Sequence, residues 1–155
     1  MPESQLLRPI GRVTSPRQTP RDDDWGAVAA SITLDAAQFS PDALTGLSDF
    51  SHIEVLFTFH RVAADTRIAD ARHPRGRTDW PQVGIFAQRA KDRPNRLGAS
   101  ICELIRVEGL TLQVRGLDAI DDTPVLDIKP VMREFLPRTP VRQPGWSGEL
   151  MKGYW

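Results

Sequence analysis

Two arginines and a histidine stand where short apolar segments end, and these side chains carry the clearest chemical potential in the sequence. His60 and Arg61 close the apolar run that begins at Phe50, and Arg89 closes a second, shorter run. A guanidinium can bind a carboxylate through two parallel hydrogen bonds, and an imidazole can donate or accept a hydrogen bond near neutral pH. The pattern is typical of an anion-binding site, or of strand ends whose charges pair with surface carboxylates.

Other polar clusters also have both a functional and a purely structural interpretation. Asp118, Asp121 and Asp122 resemble a metal-binding run, but no second acidic cluster completes an oxygen shell. We therefore expect a solvated turn there and no metal. The Arg67–Arg77 loop and the Arg93–Arg96 turn could bind nucleic-acid phosphates, or they could be a charged surface loop and a simple turn.

Short strands are the elements that would position these residues. Seven segments alternate with a period of two or are short apolar runs, and turn-forming residues separate them. They are Ile10–Thr14, Ala27–Leu34, Ile53–Phe59, Val83–Gln88, Ala99–Val107, Thr111–Val114 and Val125–Lys129. One short helix is predicted over Pro41–Leu47, capped by Ser40. The pattern predicts a mainly all-β fold, a small antiparallel β-barrel with short helices, because closure removes exposed strand edges.

Length and composition fit one compact domain. The 155 residues are 40% hydrophobic and 26% charged, with a formal net charge of zero. We expect a barrel domain over residues 1–136 and an extended C-terminal arm over 137–155. The sequence shows no apolar run of membrane-spanning length and no signal-peptide pattern, and its single Cys102 cannot form an internal disulfide. A cytoplasmic location without membrane contact is therefore expected.

Four segments, which follow one another along the chain, have sequences that resemble motifs. They are PIGRVTSP at 9–16, FSHIEVLFTFHR at 50–61, GIFAQR at 84–89 running into RPNRLGAS at 93–100, and GLDAIDDTPVLDIKP at 116–130. Taken in this order, they resemble the TsaA-like (TrmO) family over most of the chain. Family members use S-adenosyl-L-methionine to N6-methylate threonylcarbamoyladenosine, the modified adenosine beside the tRNA anticodon.

The resemblance implies an antiparallel β-barrel that forms a homodimer, with the cofactor near the dimer interface and tRNA as the partner. It also implies the residues of the cofactor pocket. These are Thr19, Pro20, Arg21, His60, Arg61, Arg89, Ala99, Ala119, Ile120, Asp121 and Asp122. Arg93, Asn95 and Arg96 are the candidates for RNA contact. His60 or Asp121 is the candidate catalytic proton acceptor.

The sequence departs from the family pattern at several motif positions. Arg96 and Val131 replace a proline and a tyrosine that the family usually has. The departures leave open a methyltransferase of the same fold with another acceptor, or a module that binds S-adenosylmethionine or RNA without turnover. We expect the aromatic residues of the arm, Trp146, Tyr154 and Trp155, to fold onto the barrel or a partner rather than to stack on RNA.

Overall fold

Antiparallel strands that close into a barrel form the body of the protein, whose computed structural model describes residues 3–66 and 68–155. Within those residues the strands are β1 Gly11–Thr14, β2 Ala29–Leu34, β3 His52–Thr58, β4 Ala71–Arg72, β5 Val83–Gly84, β6 Leu97–Glu108, β7 Thr111–Arg115 and β8 Pro124–Pro130. Six of them close in the order β1-β2-β7-β6-β3-β8, and β4 pairs only with β5. The predicted antiparallel barrel is confirmed.

Alternating side chains fill the barrel interior with apolar groups. On β3, Ile53, Val55 and Phe57 point inward and are each at most 2% exposed. The same buried cluster includes Val13, Ile32, Leu34, Leu104, Leu112, Val114, Leu117, Ala119 and Val125. Cys102 also lies in this core, as expected, and burial raises the pKa of its thiol to about 12. The thiol therefore stays protonated and acts as a small apolar group.

Antiparallel pairing brings three connections to one end of the barrel, which we call the loop end. The end of β3 lies beside the start of β6, where Thr58 pairs with Leu97. The start of β2 lies beside the end of β7, where Ala29 pairs with Arg115. The last strand, β8, starts at this same end, beside the end of β3. The loop end therefore carries the connections 15–28, 59–96 and 116–123.

The segment Val83–Gln88 is a strand only over its first two residues, so the prediction of a strand is wrong for the rest. Ile85–Ala87 forms a 3-10 helix, and the Gln88 side-chain amide donates to the Val83 carbonyl oxygen at 2.9 Å. The predicted alternation therefore ends here: Ile85 is buried and Phe86 exposed, but Ala87 is exposed and Gln88 is buried. Because β5 pairs only with the two-residue β4, outside the barrel, its ladder is limited to two residue pairs.

The helix predicted at Pro41–Leu47 is two short 3-10 helices, Pro41–Leu44 and Leu47–Asp49. Ser40 caps the first, as predicted, because its Oγ accepts a hydrogen bond from the Asp42 amide at 3.3 Å. The intervening glycine has a φ of 85°, a left-handed conformation that ends the first helix. In the described part of the chain, no helix is long and apolar enough to cross a membrane.

The chain leaves the barrel at the end opposite to the loop end, and the arm, residues 137–155, returns to the loop end. Directly after β8, the Val131 amide donates to the His52 carbonyl oxygen at 3.0 Å. A short helix, α1, spans Gly145–Leu150. Beyond it, the Asp24 amide donates to the Gly153 carbonyl oxygen at 3.0 Å. The end of the arm therefore folds onto its own barrel, one of the two arrangements that we expected.

Gly98 on β6 touches the core aromatic ring of Phe57, so a larger residue there should destabilise the barrel. A Cβ atom at Gly98 would lie 2.5 Å from Cε2 of Phe57. We expect Gly98→Ala to lower the free energy of unfolding by about 1–3 kcal/mol, because overpacking displaces a core side chain. Urea denaturation measures this. Gly84→Ala is the matched control, because a Cβ there meets nothing within 4 Å. Equal loss in the two variants would contradict the packing explanation.

Candidate functional site

The predicted cofactor residues lie on all three connections of the loop end, except Ala99, which lies on β6. Hydrogen bonds join two of these connections through Asp121. Its Oδ1 accepts a hydrogen bond from the Ser15 amide at 3.0 Å. Its own amide donates to the Arg17 carbonyl oxygen at 2.7 Å. The 116–123 turn is therefore fixed against the segment that leads into Thr19–Arg21.

Arg61 joins the third connection to the same place. Its guanidinium donates to the carbonyl oxygen of Gln18 at 2.7 Å, directly before the exposed Thr19–Arg21 segment. The 15–28 loop is held in shape by Arg17, whose guanidinium lies 4.4 Å from the ring centroid of the buried Trp25. Arg17 also donates to two carbonyl oxygens of this loop. The predicted His60–Arg61 and Thr19–Arg21 segments are thus brought together.

His60 is half-buried among charged groups of the loop end. Desolvation lowers the pKa of its imidazole, and the positive charges of Arg61 and Arg12 lower it further, while the Asp122 carboxylate opposes them. Asp122 itself is exposed and forms an ion pair with Arg12 at 3.3 Å. Because the pKa lies below its ordinary value, His60 is predominantly neutral at pH 7 and can accept a proton.

Arg89 and Ala99, which are both predicted to line the cofactor pocket, are in direct contact. The Arg89 guanidinium donates to the Ala99 carbonyl oxygen at 2.6 Å while the arginine remains exposed. Ala119 is 2% exposed and its side chain belongs to the barrel core. The next carbonyl, that of Ile120, accepts a hydrogen bond from the Thr123 hydroxyl at 2.7 Å. The amides of Asp121 and Asp122 also donate to carbonyl oxygens of the protein, so the backbone of the 119–122 turn mainly holds the loop end together, and Asp122 contributes its exposed side chain.

The Arg93–Arg96 turn is bonded to the segments that carry the other candidates. Arg93 donates to the Gln88 carbonyl oxygen at 2.7 Å, and Arg96 donates to the Val62 carbonyl oxygen at 2.8 Å. Asn95 and Arg96 have φ angles of 61° and 51°, which non-glycine residues seldom adopt. These bonds hold the strained turn beside both Arg89 and His60–Arg61.

The arginines of the loop end fall into two electrostatic classes. Arg72, Arg75 and Arg77 form ion pairs with aspartates, and so does the predicted site residue Arg21, with Asp24 at 3.1 Å. By contrast, four predicted site arginines donate to backbone carbonyls and form no ion pair among the described residues. They are Arg61, Arg89, Arg93 and Arg96. Their positive charge is therefore available to an anionic ligand. Arg67, part of the predicted arginine loop, lies outside the described residues.

The sequence predicted a solvated turn at Asp118, which is wrong for this residue, because its half-buried carboxylate lies at the centre of a polar cluster. The Ser100 hydroxyl donates to one carboxylate oxygen of Asp118, and the Tyr154 hydroxyl donates to the other. Asp118 immediately precedes the 119–122 turn, and Ser100 follows Ala99. No local pattern could have revealed the cluster, because its three members come from distant parts of the chain.

The structure shows no enclosed metal centre among residues 3–66 and 68–155, where no group of three His, Cys, Asp or Glu residues could hold an ion. Two surface grooves, of about 610 and 370 Å³, are lined by Glu134–Arg138 and by residues of β2, β6 and β7. The predicted cofactor residues line neither groove. Apart from the buried Ala119, they lie on a partly exposed surface at the loop end instead.

Comparisons with known proteins identify relatives of this chain. The family model described as the tRNA-methyltransferase O N-terminal domain matches residues 11–135. A probable S-adenosyl-L-methionine-binding protein of Pyrococcus abyssi is 36% identical over 154 residues, covering 94% of this chain and 78% of that protein. The tRNA (adenine(37)-N6)-methyltransferase of Mus musculus is 39% identical over 138 residues, covering 84% of this chain and 31% of that protein.

Structural comparison agrees with the sequence matches. A crystal structure of TrmO from Pseudomonas aeruginosa aligns with a TM-score of 0.76 and 27% identity, covering 94% of this chain and 63% of that one. A second crystal structure of TrmO aligns with a TM-score of 0.72 and 31% identity, covering 91% of this chain and 64% of that one. This chain therefore spans less than two thirds of these solved structures and less than a third of the mouse relative.

Proposed function

Because this chain belongs to the tRNA-methyltransferase O family, we propose that it transfers a methyl group from S-adenosyl-L-methionine to N6 of an adenosine in tRNA. The mouse relative is named for adenine 37. We propose the same position here and, as the acceptor, the threonylcarbamoyladenosine that the sequence motifs imply. The observation that carries the proposal is the meeting of the predicted cofactor residues at the loop end, inside the region that matches the family model.

The loop end has a donor set that fits this cofactor. When bound, S-adenosylmethionine supplies a methyl group on a positively charged sulfur. Arg61 and Arg89 each use a donor on a carbonyl oxygen, and a guanidinium has five N–H donors, so both retain donors for a carboxylate. The exposed Thr19–Arg21 segment and the exposed side chain of Asp122 provide further polar groups beside them.

His60 is our candidate for the residue that accepts the proton released from N6. Its imidazole is predominantly neutral near pH 7 because burial lowers its pKa. Asp121, the other candidate, already accepts the Ser15 amide on one oxygen and so has a structural task. Methyl transfer needs the acceptor nitrogen in line with the methyl group, so positioning by the surrounding loops supplies much of the catalysis.

The Arg93–Arg96 turn is our candidate for RNA contact. Arg93 and Arg96 carry charge that no carboxylate neutralises among residues that the structure describes, and Asn95 is exposed between them. Guanidinium groups bind phosphates and can stack on the unpaired bases that an anticodon loop presents. The turn lies next to Arg89, so RNA bound there would bring a flipped adenosine towards the cofactor residues.

We also propose that the chain forms a homodimer through the outer face of β6. Leu97, Ile101 and Ile105 are 41%, 44% and 47% exposed along this face. Apolar rows of this kind commonly mark contact surfaces in soluble proteins. Sedimentation equilibrium should give twice the mass of one chain, and Ile101→Glu should shift the protein towards monomer. A monomeric wild type would contradict this arrangement.

Two other functions remain as outcomes of the experiments below. A same-fold methyltransferase with another acceptor would bind the cofactor but would not methylate tRNA. A module without turnover would bind cofactor or RNA and never release S-adenosylhomocysteine. The cytoplasmic location stays part of this proposal, and cell fractionation tests it.

Calorimetric titration tests the cofactor site. We expect micromolar binding of S-adenosylmethionine by the wild type. Arg61→Ala and Arg89→Ala should each weaken it about tenfold or more, because a charge-assisted hydrogen bond to the carboxylate is lost. Arg106→Ala is the matched control, since Arg106 pairs with Glu108 at 3.0 Å away from the loop end. Absence of wild-type binding, both alone and with tRNA, would contradict the cofactor assignment.

A pH profile distinguishes the two candidate proton acceptors. Single-turnover methylation should slow as pH falls through a pKa below 6.5, because protonated His60 cannot accept a proton. His60→Asn should remove this dependence and lower the rate. Asp121→Asn keeps an oxygen for the Ser15 amide and should retain the wild-type profile. An unchanged profile in His60→Asn would exclude the histidine.

Matched tRNAs test the acceptor and the RNA-binding turn. A tRNA with threonylcarbamoyladenosine at position 37 should be methylated, and the same tRNA with unmodified adenosine should not. Arg96→Ala should weaken tRNA binding and reduce the slope of log affinity against log salt by about 1, while Arg96→Lys should keep the slope. Equal methylation of both tRNAs would remove the threonylcarbamoyl requirement.

A further inference from the structure

The segment 145–155, which we call the clasp, contacts two connections of the loop end. In the 59–96 connection, the Trp80 indole donates to the Glu149 carboxylate at 2.8 Å. In the 15–28 connection, the Trp25 amide donates to the Tyr154 carbonyl oxygen at 2.8 Å. The backbone contact is close, because a Cβ at Gly26 would lie 2.7 Å from the carbonyl carbon of Trp155.

A third contact joins the clasp to the 116–123 turn through Tyr154. Its hydroxyl donates to the Asp118 carboxylate, whose other oxygen accepts the Ser100 hydroxyl. Burial and the negative charge of Asp118 raise the pKa of Tyr154, so the phenol stays protonated and remains a donor. The positive charges of Arg89 and Arg75 oppose this effect and lower the pKa of Tyr154, but burial and Asp118 outweigh them.

Tyr154 therefore connects two walls of the candidate cofactor site. Its backbone is bonded to the 15–28 connection, and its side chain is bonded to the residue before Ala119. Ser100, the other donor to Asp118, follows the alanine whose carbonyl oxygen binds Arg89. Removal of the phenol hydroxyl would leave one oxygen of a partly buried carboxylate without its partner, which favours displacement of the turn.

We propose that Tyr154 is a positioning residue for the cofactor site, whose hydroxyl fixes Asp118 and with it the 116–123 turn against the 15–28 connection. The cofactor role of this contact rests on the proposed function, whereas the ordering of the turn does not. The clasp is thus more than a terminal segment that covers the barrel. Together with the hydrogen bonds of Asp121 to Ser15 and Arg17, it holds residues 119–122 beside the Thr19–Arg21 segment.

Two single substitutions in the clasp test the proposal. Tyr154→Phe removes only the hydroxyl that binds Asp118, and Glu149→Ala removes only the acceptor of the Trp80 indole. We expect Tyr154→Phe to weaken S-adenosylmethionine binding about tenfold, and Glu149→Ala to change it less than about twofold. Thermal unfolding of both variants shows whether they lose comparable stability.

Amide hydrogen exchange in the absence of cofactor gives an independent measurement. The Asp121 and Asp122 amides donate to carbonyl oxygens of Arg17 and Val13. Their exchange should accelerate at least about fivefold in Tyr154→Phe and stay at the wild-type rate in Glu149→Ala, because only the first substitution releases the turn.

The outcomes separate this inference from the proposed function. Wild-type binding with an unaffected Tyr154→Phe variant would overturn the inference alone. Equal weakening by both variants would also overturn it, because general loosening of the clasp would then explain the loss. If the wild type binds no cofactor, either alone or with tRNA, the proposed function fails. The exchange rates then decide whether Tyr154 fixes the turn.

Discussion

Closure of the antiparallel ring between β1 and β8 is the constraint on which the loop end depends. Only two residue pairs join these strands, with Gly11 opposite Val125 and Arg12 opposite Pro124. Backbone bonds between Val13 and the 122–123 segment extend this short seam, and the Asp121 bond to Ser15 extends it further. The turn that carries candidate cofactor residues therefore also completes the barrel. Loss of these bonds would open the ring and separate the two walls of the site.

Electrostatics gives this end of the barrel its chemical character although the whole chain has no net charge. Aspartates neutralise the arginines of the 72–77 segment, which makes that segment a set of local ion pairs. The arginines at positions 61, 89, 93 and 96 are oriented by backbone carbonyls instead, which fix a guanidinium without cancelling its charge. The anion binding that we propose for the loop end rests on this difference in partners, not on the number of arginines.

Much of the fold was predictable because alternation along a strand reports directly on which side chains face the core. The inward Ile53, Val55 and Phe57 of β3 show this, and the motif order identified residues that indeed come together, such as Arg89 with Ala99. Alternation does not say whether a partner strand exists. The segment 83–88 has the right pattern, yet its only ladder is with a two-residue strand, so it turns into a 3-10 helix.

The sequence by itself determined the strand-rich barrel, the family motifs and the residue types of the candidate site, because each depends on local pattern. Only the tertiary structure decided which arginines keep an unneutralised charge and which residues support the 119–122 turn. Ser100, Asp118 and Tyr154 are separated by 18 and 36 residues along the chain. Their contact exists because antiparallel pairing places the first part of β6 and the end of β7 at the loop end, to which the arm returns. Long-range hydrogen bonds of this kind leave no periodic trace in a single sequence.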